Sequence, residues 1–204
     1  MKKPSNIINL LIHPISGFDE MKERKDFPLL TSFLILLFFF FGEILKFRYY
    51  GFGININDPQ NLNTLLIFAR TIGLFVLWCL SNWLFCILFE GKGFFKEVWV
   101  VSSYSLVPYT AFLYLNIAVS NLVVAEEIVL TRYISFLGLF WSIVMILIAI
   151  KIIHEYSFSK TIIMSVLTIL GIGIVLFLML LSLTVYQQVF AMFRTVINEI
   201  IHRL

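Results

Sequence analysis

The side chains best suited to ligating a metal or attacking a carbonyl are three histidines, His13, His154 and His202, two cysteines, Cys79 and Cys86, and the serines Ser102, Ser103 and Ser105. Their spacing argues against such chemistry. The histidines are far apart and none has a second histidine at ligand spacing, and the cysteines are not spaced as a metal pair. Cys79 and Cys86 fall seven residues apart in one apolar run, on the same helical face, where they cannot reach each other to form a disulfide. They read as small packing residues. The serines have no general base nearby in sequence and are expected to bond back to carbonyls of their own helix. No phosphate loop or dinucleotide glycine pattern occurs, so no catalytic residue, cofactor or metal is expected.

Three polar segments stand out instead. Glu90-Gly91-Lys92-Gly93 opens a glycine-hinged connection that continues through Phe94-Phe95-Lys96-Glu97. Pro108, preceded by Tyr104-Ser105-Leu106-Val107, interrupts an apolar run and deprives the Tyr104 carbonyl of its helical donor. His154-Glu155-Tyr156-Ser157, followed by Phe158-Ser159-Lys160, packs polar and aromatic groups into one short turn. Glu90, Gly91, Lys92, Gly93, Tyr104, Pro108, His154, Glu155, Tyr156, Ser157 and Lys160 are therefore the candidate partner-interaction residues.

The elements that carry these residues follow from hydropathy. Of 204 residues, 60% are hydrophobic and 13% charged, and the mean hydropathy is +0.96, so polar surface is too scarce to cover a soluble fold. The apolar residues come in blocks at about 29–47, 64–89, 98–124, 133–153 and 161–186. Each is near the ~20 residues needed to cross a bilayer as a helix, and a run of that length does not suit a barrel strand. The chain reads as one domain of class all-α, a polytopic five-helix transmembrane bundle. No cleavable signal peptide is expected, because the first apolar run starts late and no small-residue cleavage site follows it.

Both ends look amphipathic. In residues 5–18 the apolar positions Ile7, Ile8, Leu11, Ile12, Ile15 and Phe18 recur at helical spacing around Pro14. Ser16 with Asp19 suggests a capping box for a second short helix through Lys25, and both pieces are expected to lie on the membrane surface. In residues 187–204, Val189, Phe190, Phe193, Val196, Ile197, Ile200, Ile201 and Leu204 share one face. That stretch either lies on the membrane or continues the fifth span as a long helix packing on a partner. In the first outer loop Tyr49, Tyr50 and Phe52 are placed to sit at the interface.

Of the lysines and arginines, nine fall on the side of the N-terminal tail and six on the other, with Lys2, Lys3, Lys22, Arg24 and Lys25 carrying the bias. The positive-inside rule then places the N-terminus in the cytoplasm and the C-terminus outside the cell membrane. Glu43 and Lys46, near the outer end of the first span, are expected to reach the interface as a pair, and Arg70 to snorkel. Asn82, Asn116 and Asn121 are expected to bond across helices, and Gly138 with Ser142 forms a small-x-x-x-small step.

The ordered set His13-Pro14 to Phe18, Glu90-Gly91-Lys92-Gly93, Tyr104-Ser105-Leu106 with Pro108-Tyr109, Ser120-Asn121, Glu126-Glu127, Trp141, His154-Glu155-Tyr156-Ser157 with Lys160, Gln187-Gln188 and Glu199 resembles the bacterial branch of the Yip family, the Ypt/Rab-interacting membrane proteins. The resemblance implies five spans, a cytoplasmic N-terminus and a non-enzymatic role. Eukaryotic members act in trafficking with Rab GTPases, but their Asp-Leu-Tyr-Gly-Pro motif is missing here. Bacterial relatives accompany ABC transporters, often carbohydrate importers. The expected function is thus a membrane scaffold or accessory subunit of another complex such as an ABC-type carbohydrate importer, with contacts to the lipid bilayer and a membrane protein such as its permease. The alternative is a small transporter or channel, with a polar line past Arg70, Asn82, Asn116 and the Pro108 kink.

Overall fold

A computed structural model describes residues 7–51, 55, 57–124 and 127–203. Lys2, Lys3, Ser5, Phe52 and Glu126, and the side chains of Ile7, Ile8, Val196, Ile197, Ile200, Ile201, His202, Arg203 and Leu204, lie outside that description. The chain order is α1 (Ile7–Ile12), α2 (Pro14–Glu23), α3 (Leu29–Tyr49), α4 (Thr64–Phe68), a π-helical turn (Ala69–Gly73), α5 (Leu74–Leu88), α6 (Phe95–Ser105), α7 (Val107–Ser120), α8 (Ile128–His154) and α9 (Phe158–Arg203). Among the described residues, five stretches are long and apolar enough to cross a membrane: Leu29–Tyr49, Thr64–Leu88, Phe95–Ser120, Ile128–His154 and Phe158–Thr195. They coincide with the five hydropathy blocks to within a few residues, except that the last runs on well past 186.

Most of the bundle's outer surface is apolar, as a lipid-facing surface must be: Phe38 and Phe41 on α3, Phe136 and Phe140 on α8, and Ile169 on α9 are all exposed. Inside, rings fill the space between α3, α5 and α6. The Trp99 indole lies 5.7 Å from Phe33, 5.0 Å from Phe75 and 6.0 Å from Phe95, centroid to centroid. Polar side chains tie spans together, as their positions predict. Asn82 donates to Thr168 Oγ1 on α9 at 3.2 Å, Asn116 to Ser135 Oγ on α8 at 2.6 Å, and Asn121 to the Tyr49 carbonyl at 3.0 Å. Such bonds are favoured where lipid offers no competing partner.

Pro108 splits the third span into α6 and α7. Around the break, the Ser105 hydroxyl donates to the Val101 carbonyl at 2.8 Å and the Ser103 hydroxyl to that of Val100 at 2.7 Å. The Tyr109 N–H donates sideways to Ser142 Oγ on α8 at 3.0 Å. One turn away on α8, a Cβ on Gly138 would come within 2.5 Å of Phe112 Cβ, so only glycine permits this approach of α7. The Gly138–Ser142 step is therefore a helix-packing device, which also gives a donor freed by the kink a partner.

The N-terminal helices depart from expectation in two ways. The second begins at Pro14, whose fixed φ suits the first helical position, with His13 at the cap; Ser16 lies inside the helix and donates to the His13 carbonyl at 3.2 Å. Their apolar face also turns largely inward. Leu10, Phe18 and Met21 are buried in one core with Tyr104 of α6 and Met145, Ala149 and Ile153 of α8, while Ile12 and Ile15 stay exposed. The segment is docked on the bundle, and burying those side chains favours that over a separate surface position.

Candidate functional site

At the end of the bundle where α2, α5 and α8 terminate, all three helices stop in the same way. Lys25, Glu90 and Glu155 each take a left-handed conformation, with φ of 51°, 62° and 57°. In each case the next N–H reaches back five residues, Asp26 to Met21, Gly91 to Cys86 and Tyr156 to Lys151, at 3.1, 2.6 and 3.0 Å. These are Schellman caps, in which glycine would be the unstrained choice. A charged side chain there costs about 1–2 kcal/mol, and at Glu155 that side chain has work to do.

The Glu155 carboxylate receives Lys22 Nζ from α2 at 2.9 Å on one oxygen and Lys92 Nζ from the α5–α6 connection on the other. Lys22 also donates to the Ile152 carbonyl at 2.7 Å, near the end of α8. These two ammonium groups, Lys92 first, hold the Glu155 carboxyl down to about 2. One side chain thereby fastens the N-terminal segment and two interhelical connections to each other.

Beneath it lies a tighter layer. The Gly93 N–H donates to His154 Nδ1 at 3.2 Å, leaving the proton of a neutral ring on Nε2, which is buried without a partner among the described residues. The His154 ring stacks on Tyr156 at 5.4 Å, and Lys160 Nζ sits 4.5 Å from the centre of the Tyr156 ring. Burial pushes the Tyr156 hydroxyl above its ordinary value. It stays protonated and donates to the Cys86 carbonyl at 2.9 Å. Glycine is required opposite. A Cβ on Gly91 would lie 2.5 Å from Tyr156 Oη and 2.6 Å from His154 Nδ1, and one on Gly93 would overlap Ile153 Cγ2. Ser157 opens α9, its carbonyl accepting from Thr161 Oγ1 at 3.0 Å.

The candidate residues from the two connections thus come together: Gly91, Lys92 and Gly93 meet His154, Glu155 and Tyr156, while Glu90 caps α5, Ser157 opens α9 and Lys160 lies over the Tyr156 ring. Tyr104 and Pro108 do not join that surface. Tyr104 is sealed under the N-terminal helices, and Pro108 is buried at the kink inside the third span. Lys22 was missed as a member; its signal in the sequence is no more than one lysine in a basic tail. Cys79 and Cys86 are free and buried, as packing residues should be.

At the opposite end the polar residues pair differently from expectation. Glu43 does not reach the interface beside Lys46. Its side chain is 7% exposed, and it accepts from Arg70 Nη2 at 3.0 Å and from Tyr109 Oη at 3.4 Å, two groups on other helices. Arg70 sits in the π-helical turn Ala69–Gly73, a distortion that re-aims a side chain. Glu43 and Arg70 also border a cavity of about 380 Å³, whose wall includes Lys46, Tyr50, Asn55, Asn57, Thr131 and Arg132. Among the described residues, no group of three or more His, Cys, Asp or Glu is placed to hold a metal ion.

Apolar crossings, polar side chains paired between spans and charge gathered at the two ends together define a polytopic helical membrane protein. Residues 8–180 match the Yip1 domain, and the chain belongs to that family. No curated protein and no solved structure matches it.

Proposed function

We propose that the chain is a non-enzymatic membrane scaffold or accessory subunit that docks another membrane complex, with the N-terminus cytoplasmic and the C-terminus outside the cell membrane. The observation that carries this is α9. It has 46 residues, so at a 1.5 Å rise it is about 69 Å long, against a hydrocarbon core of about 30 Å. Its packing within the bundle is confined to the first third, where Thr161, Met164, Ser165 and Thr168 are buried. Val189, Phe190 and Phe193 are exposed more than 30 residues after Phe158, about 45 Å or more along the axis. Unless the helix tilts steeply, those side chains lie beyond the lipid tails, where apolar surface does need cover.

The occupant that fits is the helical membrane domain of a larger assembly. Resemblance to the bacterial branch of the family points to an ABC-type carbohydrate importer. At the other end, Glu90, Lys92, Glu155, Ser157 and Lys160 offer a preformed cytoplasmic platform, whose rigidity lowers the entropic cost of docking. The mutual pairing of Asn82 with Thr168 and of Asn116 with Ser135 supports this reading over a small transporter or channel, since those amides are spent on neighbouring helices.

The test is affinity purification in a mild detergent with mass spectrometry, comparing the full chain with one ended before Gln187. Co-purification of a membrane complex with the full chain, and its loss on truncation, is the expected result. Recovery of the full chain alone, under conditions that keep other complexes intact, refutes the proposal. Reporter fusions at the two termini test the orientation separately.

A further inference from the structure

The cavity of about 380 Å³ at the end opposite the Glu155 latch has an electrostatic character that the scaffold role does not use. Three cations border it, from three separate elements: Lys46 near the end of α3, Arg70 in the π-helical turn and Arg132 in the second turn of α8. Among the described residues, Glu43 is the one acid on its wall, and it is already engaged by Arg70 and Tyr109. Among the described residues, Lys46 and Arg132 have no ion-pair partner, although Lys46 is half-buried. An unpaired, partly desolvated ammonium beside two guanidinium groups is costly unless an anion joins it.

We infer that this cavity binds a phosphate-bearing anion. Cations from three separate elements suit the several oxygens of a phosphate better than the two oxygens of a planar carboxylate, while the Asn55 and Asn57 amides on the wall are already used, Asn55 donating to the Phe47 carbonyl and Asn57 to Asn55 Oδ1. The buried Glu43 fixes Arg70 in place before the ligand arrives, so little side-chain entropy remains to be lost. The volume exceeds what a bare phosphate needs and falls in the range of about 300–1,000 Å³ typical of small-molecule sites, which leaves room for an ester substituent. Basic pockets between membrane helices hold lipid headgroups by this chemistry. A soluble phosphate ester would satisfy the same groups.

The experiment separates the two sources. The full chain is placed in nanodiscs of phosphatidylcholine with or without phosphatidylglycerol, and in lipid-free detergent with or without inorganic phosphate. Native mass spectrometry reads retained lipid, and thermal melting reads stabilisation. The variants are Lys46→Gln with Arg132→Gln together, and Arg48→Gln as a control that removes a nearby charge outside the cavity wall. With about 1 kcal/mol for each cation near a headgroup, the double variant should bind about 30-fold more weakly, while Arg48→Gln stays within about 2-fold. Phosphatidylglycerol retained in this pattern identifies a lipid headgroup. A melting shift with inorganic phosphate alone, lost in the double variant, identifies a soluble phosphate ester. No response to either probe, or equal losses in the double variant and Arg48→Gln, overturns the inference.

Discussion

Replacing Gly91 by alanine tests the packing of the latch most directly. The new methyl group would stand 2.5 Å from Tyr156 Oη, 2.6 Å from His154 Nδ1 and 2.7 Å from the Cys86 carbonyl oxygen. The tyrosine hydroxyl can swing aside, but the Cys86 oxygen belongs to the helix backbone and His154 is pinned by Gly93. Overpacking of this kind costs about 1–3 kcal/mol. Displacing the Tyr156 hydroxyl from the Cys86 carbonyl adds about 1 kcal/mol for the lost hydrogen bond. The total, about 2–4 kcal/mol, corresponds to a melting temperature lowered by about 4–16 °C for a chain of this size. The four tryptophans report unfolding in detergent by intrinsic fluorescence. Gly173→Ala is the matched control, since a Cβ there meets nothing within 4 Å. Helix propensity predicts for it no change or a gain of up to about 1 kcal/mol. If the two variants melt within about 2 °C of each other, the close approach of the α5–α6 connection to His154 and Tyr156 is wrong.

Three further outcomes follow from the polar contacts. The Glu155 carboxyl is depressed from 4.5 to about 2, so its contribution to holding the N-terminal segment is complete above about pH 4.5 and disappears as the pH falls toward 2. Spin labels at Glu23 and Ser159 should give a narrow distance distribution at pH 7 that broadens at pH 3, and Glu155→Gln should broaden it at pH 7; an unchanged distribution in that variant would falsify the latch. At the opposite end, Arg70→Gln leaves the buried Glu43 carboxylate without its cation and should cost up to about 3 kcal/mol, whereas Glu43→Gln removes that charge and should cost about 1 kcal/mol, so melting curves that rank the two the other way refute the pairing. Ser142→Ala strands the Tyr109 N–H inside the bundle, and a loss of about 1–3 kcal/mol is expected, while Ser182→Ala on the exposed part of α9 should leave melting unchanged.

The spans were legible because lipid imposes a one-dimensional rule: about 20 apolar residues in a row, whatever they pack against. The interspan amides were legible for a related reason, since Asn82 and Asn116 find partners on other helices where hydrocarbon offers none, whereas Asn121, exposed at the end of α7, bonds both to the Tyr49 carbonyl and to its own Ile117 carbonyl. What depends on three-dimensional pairing was not legible. Glu43 has Lys46 three residues away in sequence, yet its partner is Arg70, brought to it by a π-helical turn that no pattern in Ala69–Gly73 announces. The left-handed caps at Glu90 and Glu155 were hidden because neither residue is glycine. The inward face of Leu10, Phe18 and Met21 was misassigned because amphipathic periodicity reports that a helix has an apolar side and is silent on whether lipid or protein covers it.

The placement of charge explains why the two ends can be specialised separately. Between the latch and the cavity, the buried polar groups are neutral and largely local: Asn82 to Thr168, Tyr109 N–H to Ser142, and serine hydroxyls to their own carbonyls. Ionised groups gather at the ends, with Lys22, Lys92 and Glu155 at one and Glu43, Lys46, Arg70 and Arg132 at the other. A charge in mid-membrane would demand a partner or water and would couple the ends through a shared polar line. Among the described residues no ionised side chain lies there, so no polar line joins the two ends. Glu155 and Tyr156 sit just ahead of the first turn of α9, so the contacts that fix the N-terminal helices also fix the start of the long helix. Freeing the latch should therefore loosen the base of α9 and, under the proposed docking role, weaken partner retention, even though Lys22 and Lys92 lie far from the exposed apolar side chains on that helix.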